Sequence, residues 1–246
     1  MTIKRSTNVR GRAWLFCVAG LLLAAFSVEA LQEGRGIQRE DEKRSGRNIE
    51  EELGRLKEKI EEKRAALPAQ DKMRLDQQIA RLGGFSEKGR LQAVKLLSAN
   101  LDRIILLIAP HLYSKNRRIR ESVCRLIVGY AGDGALAMLE PLFFDMLRSR
   151  QRDSRKCALE AYGKISPSRA VDRMVEQLTA LDEELQYLAL GVLDRIALRE
   201  LAKYEMVLDQ YVETVSQDIR WYWLERRGRH LLAKLSQAKS DDNRRP

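Results

Sequence analysis

The chain is poor in the residues that punctuate sheets and build reactive centres. It holds 5 prolines, 15 glycines and 6% aromatics in 246 residues, too little turn and strand chemistry for a sandwich of many short strands. Its two histidines, His111 and His230, stand far apart in the sequence, and no HExxH, His-Glu pair, glycine-rich phosphate loop or nucleophile elbow occurs. The spacings that present a metal, a phosphate or an activated serine are therefore missing. Three cysteines, Cys17, Cys124 and Cys157, include no CxxC pair, which removes the usual zinc and dithiol centres. Paired carboxylates such as Glu183-Glu184 fall at a helix start, where negative charge suits the helix dipole. These absences predict no catalytic residue, no cofactor, no metal site and a chain that is not an enzyme.

What is abundant is Leu, Ala, Arg, Glu and Lys in long windows, with 44% hydrophobic residues. Such windows favour helix, and the length suffices for one large domain or a short repeat array with a continuous core. An all-α chain follows.

Residues 1–30 read as a secretory signal peptide. Lys4, Arg5, Arg10 and Arg12 lead, "AWLFCVAGLLLAAF" supplies an apolar run, and Val28-Glu29-Ala30 offers small residues at a cleavage site. The run of 14 residues is shorter than the roughly 20 that span a bilayer. The expectation is an exported chain, periplasmic or in the cell envelope; an uncleaved leader anchored in the membrane is the alternative. Cys17 lies inside the run, the wrong place for a lipidated cleavage site. The remaining Cys124 and Cys157 sit among Val, Leu and Ala, where a thiol serves as a small hydrophobe, so two buried free thiols are expected, although an oxidising compartment permits a bridge.

Residues 31–68 form a charged helical arm with ten residues of each sign. Ile49, Leu53, Leu56, Ile60 and Leu67 follow a short heptad seam interrupted by Lys63. The arm either pairs with a second copy as a short coiled coil through residues 49–67 or stands solvated, and Pro68 closes it.

From residue 69 the chain repeats itself. Arg90, Arg120, Arg155, Gln186 and Arg220 are each followed by Ala or Val three residues on, save the last, and by apolar residues beyond; they lie 30, 35, 31 and 34 apart. Four residues before them stand Ser86, Asn116, Gln151, Asp182 and Ser216, four of which can cap a helix, with Asp153 able to serve in the copy headed by Gln151. Apolar-striped partners such as "LDRIILLIAPHLY" and "ALAMLEPLFFDML" lie between. Each unit is thus a helix, a turn and a second helix that must stack on its neighbours to bury both faces. In the last copy Arg226 and Arg227 replace apolar residues, so its core stripe is expected at Leu224, Leu231, Leu232 and Leu235, as suits a terminal cap. Residues 237–246 read as a disordered tail.

Asn116, Arg120, Val123, Leu126 and Ile127 in "NRRIRESVCRLIVGYAG", Asp153, Arg155, Ala158 and Ala161 in "DSRKCALEAYGKI", and Pro110 and Pro141 in the first helices resemble HEAT-type α-helical repeats over roughly residues 70–236. Armadillo repeats are close relatives. The resemblance implies a right-handed α-solenoid of about five helix-turn-helix repeats over 69–236, and a curved scaffold that binds protein. HEAT-type iron hydroxylases hold metal with His-Glu pairs that this chain lacks. A lyase acting on a bound cofactor and a nucleic-acid-binding solenoid remain as alternatives, the latter if the leader is unused.

The net charge of +10 leaves +7 on the repeats and tail. Arg117, Arg118, Arg125, Arg152 and Lys156 cluster on two adjacent copies and, with Trp221, form the expected protein-binding surface for another protein of acidic character; Arg120 and Arg155 are expected to bond turns of neighbouring repeats instead. Trp223 aligns with the buried small residues and is expected in the core. No DNA partner is expected of an exported chain, and no membrane span after leader cleavage.

Overall fold

The computed structural model describes residues 35–165 and 168–242, and all regular structure among them is helical. The predicted leader lies outside the described residues. Helix α1 (Arg35–Ala65) is followed by α2 (Ala69–Leu82), α3 (Glu87–Ser98), α4 (Leu101–Ile108), α5 (Arg117–Tyr130), α6 (Asp133–Met138), α7 (Glu140–Leu147) and α8 (Arg152–Tyr162). Then come α9 (Val171–Gln177), α10 (Glu183–Leu193), α11 (Leu198–Leu201), α12 (Glu205–Ser216) and α13 (Tyr222–Asp242), with short 3-10 turns between several of them. The chain divides into two compact units, residues 1–47 and 48–246. In the first, the described residues 35–47 are helical.

In the larger unit, two prolines break the first helices where the sequence places them. Pro110 opens the 3-10 turn Ala109–Tyr113 after α4, and Pro141 sits in the first turn of α7, where its missing N–H leaves no helical bond unmade. Each second helix packs on the next: α3 on α5, α5 on α8, α8 on α10 and α10 on α13. The residue three after each anchor, Ala93, Val123, Ala158 and Ala189, is fully buried, as close helix approach requires.

The anchors work within their own copy, which corrects the expected ladder between repeats. Each donates to the carbonyl six residues earlier: Arg90 to Gly84 at 2.9 Å, Arg120 to Ser114 at 2.6 Å, Arg155 to Ser149 at 2.8 Å and Gln186 to Ala180 at 2.5 Å. A long side chain with a terminal N–H thereby closes the turn that precedes its helix, so glutamine can replace arginine. Tyr211 of the next copy donates to Gln186 Oε1 at 3.1 Å, satisfying the other end of that buried amide. Arg120 also reaches the next copy, pairing with Asp153 at 2.7 and 3.2 Å.

Capping follows the sequence in three copies. Ser86, Asn116 and Asp182 accept from backbone N–H groups of the first turn. Gln151 makes no such bond, and Asp153 is spent on Arg120 instead of capping. In the last copy Asp218, not Ser216, accepts from Arg220 N at 3.0 Å.

That last copy is displaced by one residue. Its buried stripe is Leu224, Gly228, Leu231 and Leu235, which places Trp221 in the anchor slot and Leu224 three beyond it. Trp223 is consequently 65% exposed and not a core residue. The 3-10 turn Ile219–Trp221 takes up the extra residue. Helix α13 continues to Asp242, into the segment expected to be a disordered tail.

Two further expectations are corrected. Cys124 and Cys157 are not free thiols: they form a disulfide, with Cα atoms 5.8 Å apart, that joins α5 to α8. The arm's seam is also covered within the chain. Ile49, Leu56 and Ile60 are buried in the common core with Leu53 against it, while Glu52 pairs with Arg169 at 2.9 Å and Arg64 with Asp76 at 3.7 Å. The stripe read as a surface for a second copy is thus in use by the chain's own repeats.

Candidate interaction face

The candidate residues stand on α5, on α8 and, for Trp221, in the 3-10 turn before α13, and most of them are engaged internally. Arg152 pairs with Asp182 and, at 2.6 Å, with Glu184. Lys156 reaches Glu184 at 2.5 Å. The carboxylates respond: Arg152's hydrogen bond holds Asp182 below its ordinary range, and the bonds from Lys156 and Arg152 do the same for Glu184. Arg117 pairs with Glu121 one turn on, at 2.8 Å, and the Arg118 guanidinium covers the Phe85 ring at 4.3 Å, a cation–π contact. Trp221 is half-buried and donates to Glu183 at 2.7 Å. Apart from the Arg117–Glu121 pair within one helix, these contacts join adjacent copies. Arg125 is exposed, with Glu160 near enough to feel its charge.

The carboxylate pair Glu183-Glu184 at the start of α10 accepts from side chains of neighbouring copies, Glu183 from Trp221 and Glu184 from Arg152 and Lys156. Glu160, half-buried between α5 and α8, is pushed up by burial; Lys156 and Arg125 oppose this, and Glu184 adds to it.

A feature missed by the sequence reading lies further along the same face. A shallow cleft of about 280 Å³ opens across α8, α10 and α13. Its floor is apolar, with Leu159, Leu188 and Val192 beside Gly163 and Gly191. Lys164 and Arg227 border it, and Arg227 lies over the Tyr187 ring at 4.3 Å. Gly191 is what lets the guanidinium lie there: a Cβ at that position would come within 2.6 Å of Arg227 Nη2. The available signal was Gly191 on an exposed helix ridge opposite an arginine of the next copy, but only the pairing of α10 with α13 brings the two together.

Among the described residues, no three His, Cys, Asp or Glu side chains converge in a metal-holding group, and no helix is long and apolar enough to cross a membrane. No protein-family model matches the chain, and no curated protein is significantly similar to it.

Proposed function

We propose that this chain is an exported, non-enzymatic scaffold of the cell envelope that binds another protein through the curved face of a right-handed HEAT-like α-solenoid. The observation that carries the reading is the unbroken packing of second helix on second helix from α3 to α13. Of these, α5, α8 and α10 each bury one flank against the second helix before and one against the second helix after, which leaves an outer stripe for a partner. The Cys124–Cys157 disulfide supports export independently of the leader, because such bonds persist in oxidising compartments. The carboxylates on Arg152 and Lys156 weigh against nucleic acid as the ligand, since those cations are already neutralised.

The test has two parts. Fractionation of a tagged chain, with its mature N-terminus sequenced, is expected to place it outside the cytoplasm and without residues 1–30. A photo-crosslinking amino acid at Tyr187, on the second-helix face, is expected to capture a protein, whereas one at Glu58 on the arm is not. A chain retained in the cytoplasm with its N-terminus intact refutes the export reading, and crosslinks only from Glu58 refute the face.

A further inference from the structure

Building on the scaffold reading, we infer that the cleft across α8, α10 and α13 is the specificity site of the face, and that it takes an acidic segment of a protein partner carrying a large apolar side chain. Three properties of the cleft lead there. Its floor is apolar, with Leu159, Leu188 and Val192, so it seats an apolar side chain from outside, while the space above Gly191 holds the Arg227 guanidinium. Beside that floor the Arg227 guanidinium lies over the Tyr187 ring, 4.3 Å from its centroid, and has no carboxylate partner among the described residues. A guanidinium offers five N–H donors in a rigid fork that matches a carboxylate, and an aromatic ring beneath it fixes its plane without using those donors. Lys164, at the other border, donates a hydrogen bond to the Val128 carbonyl and keeps two further N–H groups.

The charge balance favours an anionic guest. Glu160 is the one carboxylate bordering the cleft, and it faces Lys156 and Arg125, which offset it. Lys164 and Arg227 are left uncompensated. Elsewhere on this face the cations Arg152 and Lys156 are matched by Asp182 and Glu184, so the acidic partner expected from sequence is directed away from the patch that suggested it and toward the cleft. An apolar anchor beside a guanidinium is also the composition of an interface hot spot.

The experiment measures fluorescence anisotropy of the purified full chain with three synthetic twelve-residue peptides. One combines Glu and Leu with a central Phe, the second replaces every Glu by Lys, and the third replaces Phe by Ser. The first is expected to bind, and each of the others to bind at least about tenfold more weakly, a difference of about 1.4 kcal/mol. Arg227→Glu and Gly191→Ala are each expected to weaken the first peptide about tenfold as well. Gly191→Ala retains the charge and displaces only the end of a flexible side chain, and alanine is the better helix former, so its thermal midpoint does not fall. Lys95→Glu, an exposed cation on α3, leaves binding unchanged. Equal affinity for wild type and Gly191→Ala, equal loss in Lys95→Glu, or full competition by heparin overturns the inference. If none of the peptides binds while Tyr187 still crosslinks a protein, the partner chemistry is refuted and the scaffold reading stands; if crosslinking also fails, both fall.

Discussion

Replacing Arg120 tests whether the anchor closes its turn and couples two copies. The side chain is 8% exposed and serves two purposes through different atoms: Nη1 donates to the Ser114 and Lys115 carbonyls at 2.6 and 3.2 Å, while Nε and Nη2 hold Asp153. Arg120→Ala removes both and leaves Asp153 without its cation. Stranding one member of a fully buried pair costs about 3–5 kcal/mol, but the Asp153 side chain keeps 17% exposure, so water recovers part of that, and about 3 kcal/mol is expected. Arg120→Gln is the informative comparison, because Gln186 shows that glutamine at an anchor position still reaches its turn carbonyl. It loses only the carboxylate pair, about 1.5–2 kcal/mol. Urea unfolding with the disulfide intact reads both, as a shift in midpoint at constant slope. A pH series separates the terms further. Burial alone raises the Asp153 pKa, but Arg120's hydrogen bond and charge outweigh it and hold the group below its ordinary 3.8. A depressed carboxylate contributes stability that is fully present above its unfolded pKa and lost as pH falls through the folded one. The wild type should therefore lose stability below about pH 4, and Arg120→Gln should lose less over that interval. Equal destabilisation by Ala and Gln at neutral pH would refute the turn-closing role, and an unchanged acid profile in Arg120→Gln would refute the coupling to Asp153.

Reducing the Cys124–Cys157 bond, which links residues 33 apart, should cost roughly 3–4 kcal/mol in the loop-entropy account; the check is urea unfolding with and without reductant, and alkylation of both cysteines in the unreduced chain would show that the bond is absent. Ile60→Asp puts a charge at a site 3% exposed, a penalty of several kcal/mol if it stays buried, so residues 49–60 should release and trypsin should cut at Lys57 and Lys59 faster than in wild type. Unchanged protection would mean that the arm is not docked through this seam. Two glycine substitutions should move in opposite directions. A Cβ at Gly228 would meet Val212 Cγ2 at 2.5 Å whereas nothing lies within 4 Å of Gly54, so Gly228→Ala should lose about 1–3 kcal/mol to overpacking and Gly54→Ala should gain up to about 1 kcal/mol from helix propensity, both read from thermal midpoints.

The helical period was legible because each copy must restate two local requirements in its own sequence. A donor long enough to reach back six residues closes the turn, and a small residue three positions on lets the next helix approach. Arg90, Arg120, Arg155 and Gln186 satisfy both, and the structure adds that glutamine suffices because the bond needs one N–H, not a charge. Local rules of this kind stop at the boundary of a copy. Arg152 and Lys156 looked like an open basic patch because the carboxylates that neutralise them, Asp182 and Glu184, come roughly one period later, and their meeting depends on the stagger between α8 and α10. The same limit hid the disulfide. Cys124 stands four residues after its anchor and Cys157 two after its own, so strict alignment of the copies does not superimpose them, although a spacing of 33 close to the repeat was a usable signal.

The fifth copy fails for a different reason. Aligning Arg220 with the other anchors preserved a chemical likeness, but the hydrophobic stripe at Leu224, Leu231 and Leu235 obeys helical geometry and required the anchor at 221. Burial of three leucines, each worth about 1.5–3 kcal/mol, sets the register, which leaves Arg220 on the surface paired with Asp218 and exposes Trp223. That shift also sets the candidate site. With Leu224 turned inward, residue 227 lies on the flank facing α10, where Gly191 leaves room for it. An arginine that looked like a polar substitution on a capping helix thereby borders the cleft, over the Tyr187 ring and without a carboxylate partner among the described residues. The polar outer side of α13 and the recognition chemistry inferred for the cleft thus come from adjacent flanks of one helix, separated by a single residue of register.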